Sequence, residues 1–195
     1  MIWVKYMLNT VAKRITKCLV DDGIISLDLA EVYIYGLEVL VSSLFSTILI
    51  LIIGILRGRF IETIIFLIVF IGLRSFTGGF HASTYWLCTA LTLSIYGMIM
   101  LISLHLTISY TVYLILLPLG VIVLFFKAPV HNPNKHMTSK ETMRHKAVSI
   151  VLFIVVMLAG ALLLNKSATI SGIIYYTLIA DLVLLFVKTH YVTIE

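Results

Sequence analysis

Charge is what this chain of 195 residues has least of: Lys, Arg, Asp and Glu together make up 12% of it. An ordinary soluble domain carries roughly twice that share of charge. Disorder is excluded as well, since a solvated coil needs charge and few apolar residues. Cysteine is nearly missing too, with only Cys18 and Cys88, far apart in sequence. That excludes a disulfide scaffold. No internal repeat or low-complexity tract appears, and no ATP-binding motif. The first twenty residues hold Lys5, Lys13, Arg14 and Lys17 but no uninterrupted apolar core with a cleavage site, so no secretory signal peptide is expected.

What is present is apolar surface, at 61% of residues and a mean hydropathy of +1.13. A chain of this size leaves about 30% of its unfolded surface outside its core. With this composition the solvent for that surface is lipid. The sequence predicts an all-α integral membrane protein with about six transmembrane helices, preceded by a basic amphipathic interfacial helix. It is expected to form a single membrane domain over 1–195, with interfacial helices in 1–38 and a bundle in 39–187.

Residues 7 to 19 sort on a helical wheel. Met7, Leu8, Val11, Ala12, Ile15, Cys18 and Leu19 share one half, opposite Asn9, Thr10, Lys13, Arg14, Thr16 and Lys17, which suits the surface of an anionic membrane. Cys18 fits either as a lipidation site or as part of that apolar face. From Ser26 to Glu38 an acidic segment either runs into the first span or pairs with the basic helix. Val39 to Leu56 is uncharged and long enough to span. The run 63–73 is short and spans only if Glu62 and Arg74 sit at the two interfaces; the alternative is a re-entrant segment. Between Arg74 and Lys127 no Lys, Arg, Asp or Glu occurs, which suits two spans, Thr84 to Leu104 and Ile108 to Phe126, the latter kinked at Pro118. The loop 127–146 is followed by Ala147 to Leu164 and Ile170 to Val187.

Six spans place both termini on one side. The N-terminal segment, Arg74, the loop 127–146 and Lys188 then hold eleven of the fourteen Lys and Arg residues, against Arg57, Arg59 and Lys166 opposite. The positive-inside rule makes the richer side, with both termini, cytoplasmic. Since topology explains the net charge of +5, no nucleic-acid partner is implied.

Chemistry concentrates before the third span, in Arg74-Ser-Phe-Thr-Gly78-Gly79-Phe-His81 and then Cys88. The glycine pair allows a tight turn or a close approach to a ligand. A thiol becomes a nucleophile when its thiolate is favoured, by a neighbouring imidazole or by the positive end of a helix. On one continuous helix, His81 and Cys88 would lie about 10 Å apart along the axis, too far for a hydrogen bond. A dyad therefore requires the helix to begin after His81, with the Gly78-Gly79 turn folding the imidazole back. Ser83 or Thr84 would then cap the helix. Spacing alone equally accommodates a small buried cysteine and an interfacial histidine. His131, His136 and His145 lack the spacing of a metal site, and no metal or other cofactor is expected. Asp181, inside the last span, is costly in lipid and counts as functional by default.

The element Arg74…Phe76-Thr-Gly-Gly-Phe-His81-Ala…Cys88 resembles the core motif of the accessory gene regulator protein B (AgrB) family, membrane cysteine endopeptidases of Gram-positive bacteria that process quorum-sensing peptide precursors. Chain length, span order, the basic N-terminus and the segment Ala128-Pro129…Asn134-Lys135 are similar too, with His136 where relatives often carry proline. The resemblance implies catalytic roles for His81 and Cys88. The partner would be an AgrD-like precursor, cut in its C-terminal part through a Cys88 thioester that closes into a thiolactone or lactone. It also implies a homodimer in the cell membrane with its active site on the cytoplasmic side. Arg74, Gly78, Gly79, Lys127 and Lys135 become candidate contacts for the precursor, whose acidic segment the loop would attract. Interfacial anchoring equally explains Arg74, and topology equally explains the loop. The competing reading is a membrane transporter or scaffold for a small peptide, which calls for several polar groups deep in the spans.

Overall fold

In the computed structural model, residues 2–78, 85–130 and 138–187 are described, with side chains from Thr10 onward in the first helix and from Trp86 after the first break. These residues form seven helices: α1 (Ile2–Asp21), α2 (Ala30–Leu56), α3 (Phe60–Thr77), α4 (Tyr85–His105), α5 (Tyr110–Lys127), α6 (Ser139–Leu163) and α7 (Ala168–Leu184). Helices α2 to α6 are each long and apolar enough to cross a membrane, and α7 is a shorter apolar helix of 17 residues. The chain is thus an all-helical, multi-pass membrane protein.

The boundaries differ from the sequence reading in instructive ways. The acidic segment does both things expected of it: α2 runs unbroken from Ala30 into the first span, and α1 packs along it. The short run 63–73 lies within the single 18-residue helix α3, about 27 Å long, because Phe60, Ile61, Glu62 and the segment after Leu73 all join it. Arg59 pairs with Glu62 at 3.2 Å across its first turn, which offsets the charge at that end of the helix. Helix α6 begins eight residues before the expected Ala147. Thr138 and Glu141 form a capping box that starts it in the polar loop. Helix α5 continues through Pro118. On α1 the buried positions are Ala12 and Thr16, while Val11, Ile15 and Cys18 are exposed. Thr16, which belongs to the polar half of the wheel, therefore packs inward, and the apolar stripe beside it is left open.

On α2 the buried face is less apolar than the exposed one. The buried stripe of α2 is Ser42, Ser46, Ile50 and Gly54, at every fourth position, whereas Leu40, Leu44, Phe45, Ile48 and Ile52 face outward. Lipid solvates leucine as well as a protein core does, so helices associate through small residues and paired polar groups. Three such buried ties stand out among the described residues. Ser46 on α2 shares a hydrogen bond with Thr89 on α4 at 2.8 Å, and Thr63 on α3 shares one with Tyr96 on α4 at 2.7 Å. Tyr113 on α5 donates to the Ser171 carbonyl on α7 at 2.7 Å, and the Ser171 hydroxyl donates to the Gly160 carbonyl on α6 at 2.9 Å. Around these ties two apolar clusters form. Val69, Leu73, Phe153, Leu178 and Leu182 lie in one, and Phe66, Phe70, Tyr96, Ile173 and Leu184 in the other.

Close packing also fixes Gly120, where an added methyl would collide with the ring of Phe153, whereas Gly97 faces open space. Gly120→Ala should destabilise the bundle by about 1–3 kcal/mol. Gly97→Ala should be neutral or slightly stabilising through helix propensity. Unfolding of the detergent-solubilised chain measures both.

Candidate functional site

The ends of α3, α5 and α7 and the starts of α4 and α6 lie at one end of the bundle. Helix α3 stops at Thr77 because Gly78 takes φ +66° and ψ 168°, a region open essentially to glycine alone. The turn is held from outside its own helix. The Val130 N–H donates to the Thr77 carbonyl at 2.8 Å, which ties the start of the basic loop to the end of α3. A β-carbon at Gly78 would lie 2.9 Å from the Val130 carbonyl oxygen and 3.1 Å from its nitrogen. The first glycine of the motif is therefore needed for an approach of backbone to backbone. Thr77 is buried, and its hydroxyl donates to the Gly78 carbonyl at 2.9 Å.

Aromatic contacts close the same end. Phe76 lies 5.7 Å from the ring of His145 on α6. Lys127, at the end of α5, sits over Phe186 just beyond α7, at 5.4 Å, and Lys146 sits over Phe125 at 5.1 Å. Each lysine thus lays its ammonium on an aromatic face, Lys127 as the last residue of α5 and Lys146 about two turns into α6. Arg74 is half-buried, with its guanidinium 5.3 Å from the centre of the Phe70 ring, one turn earlier on α3. Phe70 is itself buried, so the arginine head leans along α3 into the bundle.

Cys88 is the fourth residue of α4, a free and partly buried thiol on its first turn, and its carbonyl accepts from the Thr92 hydroxyl at 2.9 Å. The next residue, Thr89, is buried and holds α4 to α2 through Ser46. Depth along the helices can be compared through Phe66 and Tyr96, whose rings lie 5.2 Å apart. Cys88 precedes Tyr96 by about 12 Å of helix, and Arg74 follows Phe66 by about the same rise. The thiol and the guanidinium thus occupy similar depths at one end of the bundle. Cys18, by contrast, is exposed on α1.

Of the predicted site residues, Arg74, Gly78, Cys88 and Lys127 come to this end. His81, Gly79 and Lys135 lie outside the described residues, as do Ser83 and Thr84, the proposed caps of α4. The expected fold-back of the imidazole falls there too. His131 and His136 are likewise outside them, and among the described residues no group of three metal-ligating side chains is gathered. Two features escaped the sequence reading. The docking of Val130 on Thr77 is a backbone contact between segments more than fifty residues apart, which no side-chain pattern encodes. The packing of Phe76 on His145 joins a motif residue to one set aside as a possible metal ligand.

Fold and site together define a multi-pass helical membrane protein with a thiol near one end of its bundle. Residues 12–187 match the accessory gene regulator B family, and the chain belongs to it. It is also similar to protein FsrB of Enterococcus faecalis, with 40% identity over 93 residues, which are 47% of this chain and 38% of that protein. The match thus spans well under half the length of that relative. No solved structure matches.

The Gly78 junction can be tested apart from any activity. Gly58 also has positive φ, but a β-carbon there meets open space. Gly78→Ala should therefore lower the unfolding midpoint more than Gly58→Ala does. Val130→Pro removes the donor to Thr77 and should cost about 1 kcal/mol more than Val130→Ala, which keeps it.

Proposed function

We propose that the chain is an integral-membrane cysteine endopeptidase that cleaves an AgrD-like quorum-sensing precursor and promotes its cyclisation. Membership of the accessory gene regulator B family supports the coarser part, a role in processing such precursors. The observation that carries the chemical part is the position of Cys88. It lies on the first turn of α4, at the same end of the bundle as the Gly78 turn, Arg74 and Lys127.

In the proposed reaction His81 accepts the Cys88 proton, and the sulfur attacks a carbonyl in the C-terminal part of the precursor. The scissile C–N bond breaks as His81 returns the proton to the leaving amine, and the peptide stays on Cys88 as a thioester. A cysteine or serine side chain of the same peptide then attacks that thioester. The ring closes as a thiolactone or lactone, and Cys88 regains its proton. Exchange between thioesters is nearly balanced in energy, so success depends on keeping water away. In this scheme backbone N–H groups of the Gly78-Gly79 segment or the first turn of α4 would stabilise the oxyanion. No metal or organic cofactor enters the scheme.

The end that carries Arg74, Lys127 and Lys146 is, by the positive-inside rule, the cytoplasmic one, where a ribosomally made precursor is met. Lys127 and Lys135 would attract its acidic segment. The outward-facing leucines and isoleucines contact membrane lipid, and the family resemblance extends the proposal to a homodimer. The transporter reading calls for polar groups deep in the spans; of those buried there, Ser46, Thr63, Thr89 and Ser171 are taken up in hydrogen bonds between helices, and among the described residues Asp181 is the one charged side chain that is buried.

Co-expression with the cognate precursor, followed on a gel, tests the proposal. Cys88→Ala and His81→Ala, each at normal expression, should abolish the cut product, and Cys18→Ala should leave it unchanged. Continued cleavage by Cys88→Ala rejects a thiol mechanism.

A further inference from the structure

Asp181 has no role in the reaction above, yet it is kept in an expensive place. It is 4% exposed, and its Oδ2 accepts no hydrogen bond among the described residues. A carboxylate so placed among helices in lipid calls for a cation. Its surroundings point to one. On α7 it is flanked by Leu178, Leu182 and Leu185, which pack in one cluster with Val69 and Leu73 of α3. Arg74 follows Leu73 directly. Arg74 and Asp181 each stand three residues before the end of their helix, at Thr77 and Leu184 respectively, and α3 and α7 are packed together. The Arg74 guanidinium leans inward over the buried Phe70 ring, and Phe70 in turn packs in a cluster with Ile173 and Leu184 of α7. Arg74 also lies within electrostatic reach of Asp181, where its charge favours the ionised carboxylate that burial alone disfavours.

We propose that Asp181 is the counter-ion of Arg74 across the α3–α7 seam, and a positioning residue for the turn that leads to Cys88. Arg74 stands one turn before Gly78, so fixing its head fixes the last turn of α3. That turn presents the Thr77 carbonyl to Val130 and sets the direction in which the chain leaves for α4. The guanidinium is thereby engaged inside the bundle, which leaves the lysines of the basic loop as the cations for an acidic precursor.

The effect on catalysis rests on the peptidase reading; the ion pair does not, and the test separates them. The full chain is purified in detergent as wild type, Arg74→Gln, Asp181→Asn, Asp181→Glu and the double variant Arg74→Gln/Asp181→Asn. Unfolding midpoints need no substrate. Each neutralising single variant should lower the midpoint, and the double should lie no lower than the worse single, because it leaves no unpaired charge behind. Additive losses overturn the ion pair. Cleavage of a synthetic precursor reads positioning: Asp181→Asn should lower kcat about tenfold with KM within about twofold of wild type, and Asp181→Glu should recover most of the loss. A wild-type kcat in Asp181→Asn, or a loss confined to KM, overturns the positioning role. If Cys88→Ala still cleaves, the peptidase reading fails, whereas the midpoint cycle still decides the pair.

Discussion

The constraint on which the rest of this structure depends is that lipid removes the usual reason for an apolar side chain to turn inward. In water the burial of each leucine would sort the helices. Here Leu44, Ile48 and Leu114 lie exposed at no cost while Ser42, Ser46, Thr63, Thr89 and Ser171 are buried. What remains to hold the bundle is dispersion between closely fitted surfaces, together with hydroxyls that find one another because no water is available. The three polar ties join α2 to α4, α3 to α4, and α5 to α6 and α7. They link all six helices of the bundle into two groups, which the α3–α7 and α4–α7 contacts unite. Each tie is individually small, on the order of 0.6 kcal/mol in membranes. Their value is that they fix register where apolar packing alone permits sliding.

Register matters because the candidate site is distributed over helix ends. The Gly78 turn belongs to α3, Val130 follows α5, His145 lies on α6, and Cys88 opens α4. A slide of one helix by a single residue moves its end by about 1.5 Å, more than hydrogen bonding or nucleophilic attack tolerates. The hydroxyl of Thr89 adjoins Cys88 in sequence, so the tie to Ser46 sets the depth of the thiol directly. At the other side of the site the glycine turn is pinned by a backbone bond from Val130. Backbone contact of this kind persists whatever side chains surround it, provided that position 78 carries no β-carbon.

Much of this was legible in the sequence, and the reason is the same lipid constraint. Spans are forced to be long, uncharged and helical, so Val39–Leu56 and the two spans between Arg74 and Lys127 could be read directly. The failures came where helices leave the membrane. The capping box of Thr138 and Glu141 carried α6 eight residues into a segment read as loop. Thr16 turned inward although a wheel puts it on the polar side, because a helix lying against another helix in lipid selects for small size rather than for hydropathy. For the site, the sequence nominated Arg74, Gly78, His81 and Cys88 through spacing and resemblance, and the structure brings Arg74, Gly78 and Cys88 to one end of the bundle. The sequence could not indicate what Gly78 approaches, since the partner is the backbone of a residue that would serve as well with another side chain.

Asp181 illustrates the same physics from the opposite direction. Hydropathy makes it an anomaly in an otherwise apolar helix, and the wheel of α7 adds that it shares the buried face with Leu178 and Leu182. Only the packing of α3 against α7 supplies the second half, a guanidinium turned inward from a position that the charge pattern had marked as an interfacial anchor. An arginine free at the interface would satisfy topology and contribute nothing to the turn that follows it. An arginine laid over Phe70 and matched to a buried carboxylate restrains that turn, because moving it would strand both charges. A single position thus meets two demands, a charge at the end of a span and rigidity of the last turn of α3, and the proposed pairing accounts for an acid where lipid would otherwise exclude it.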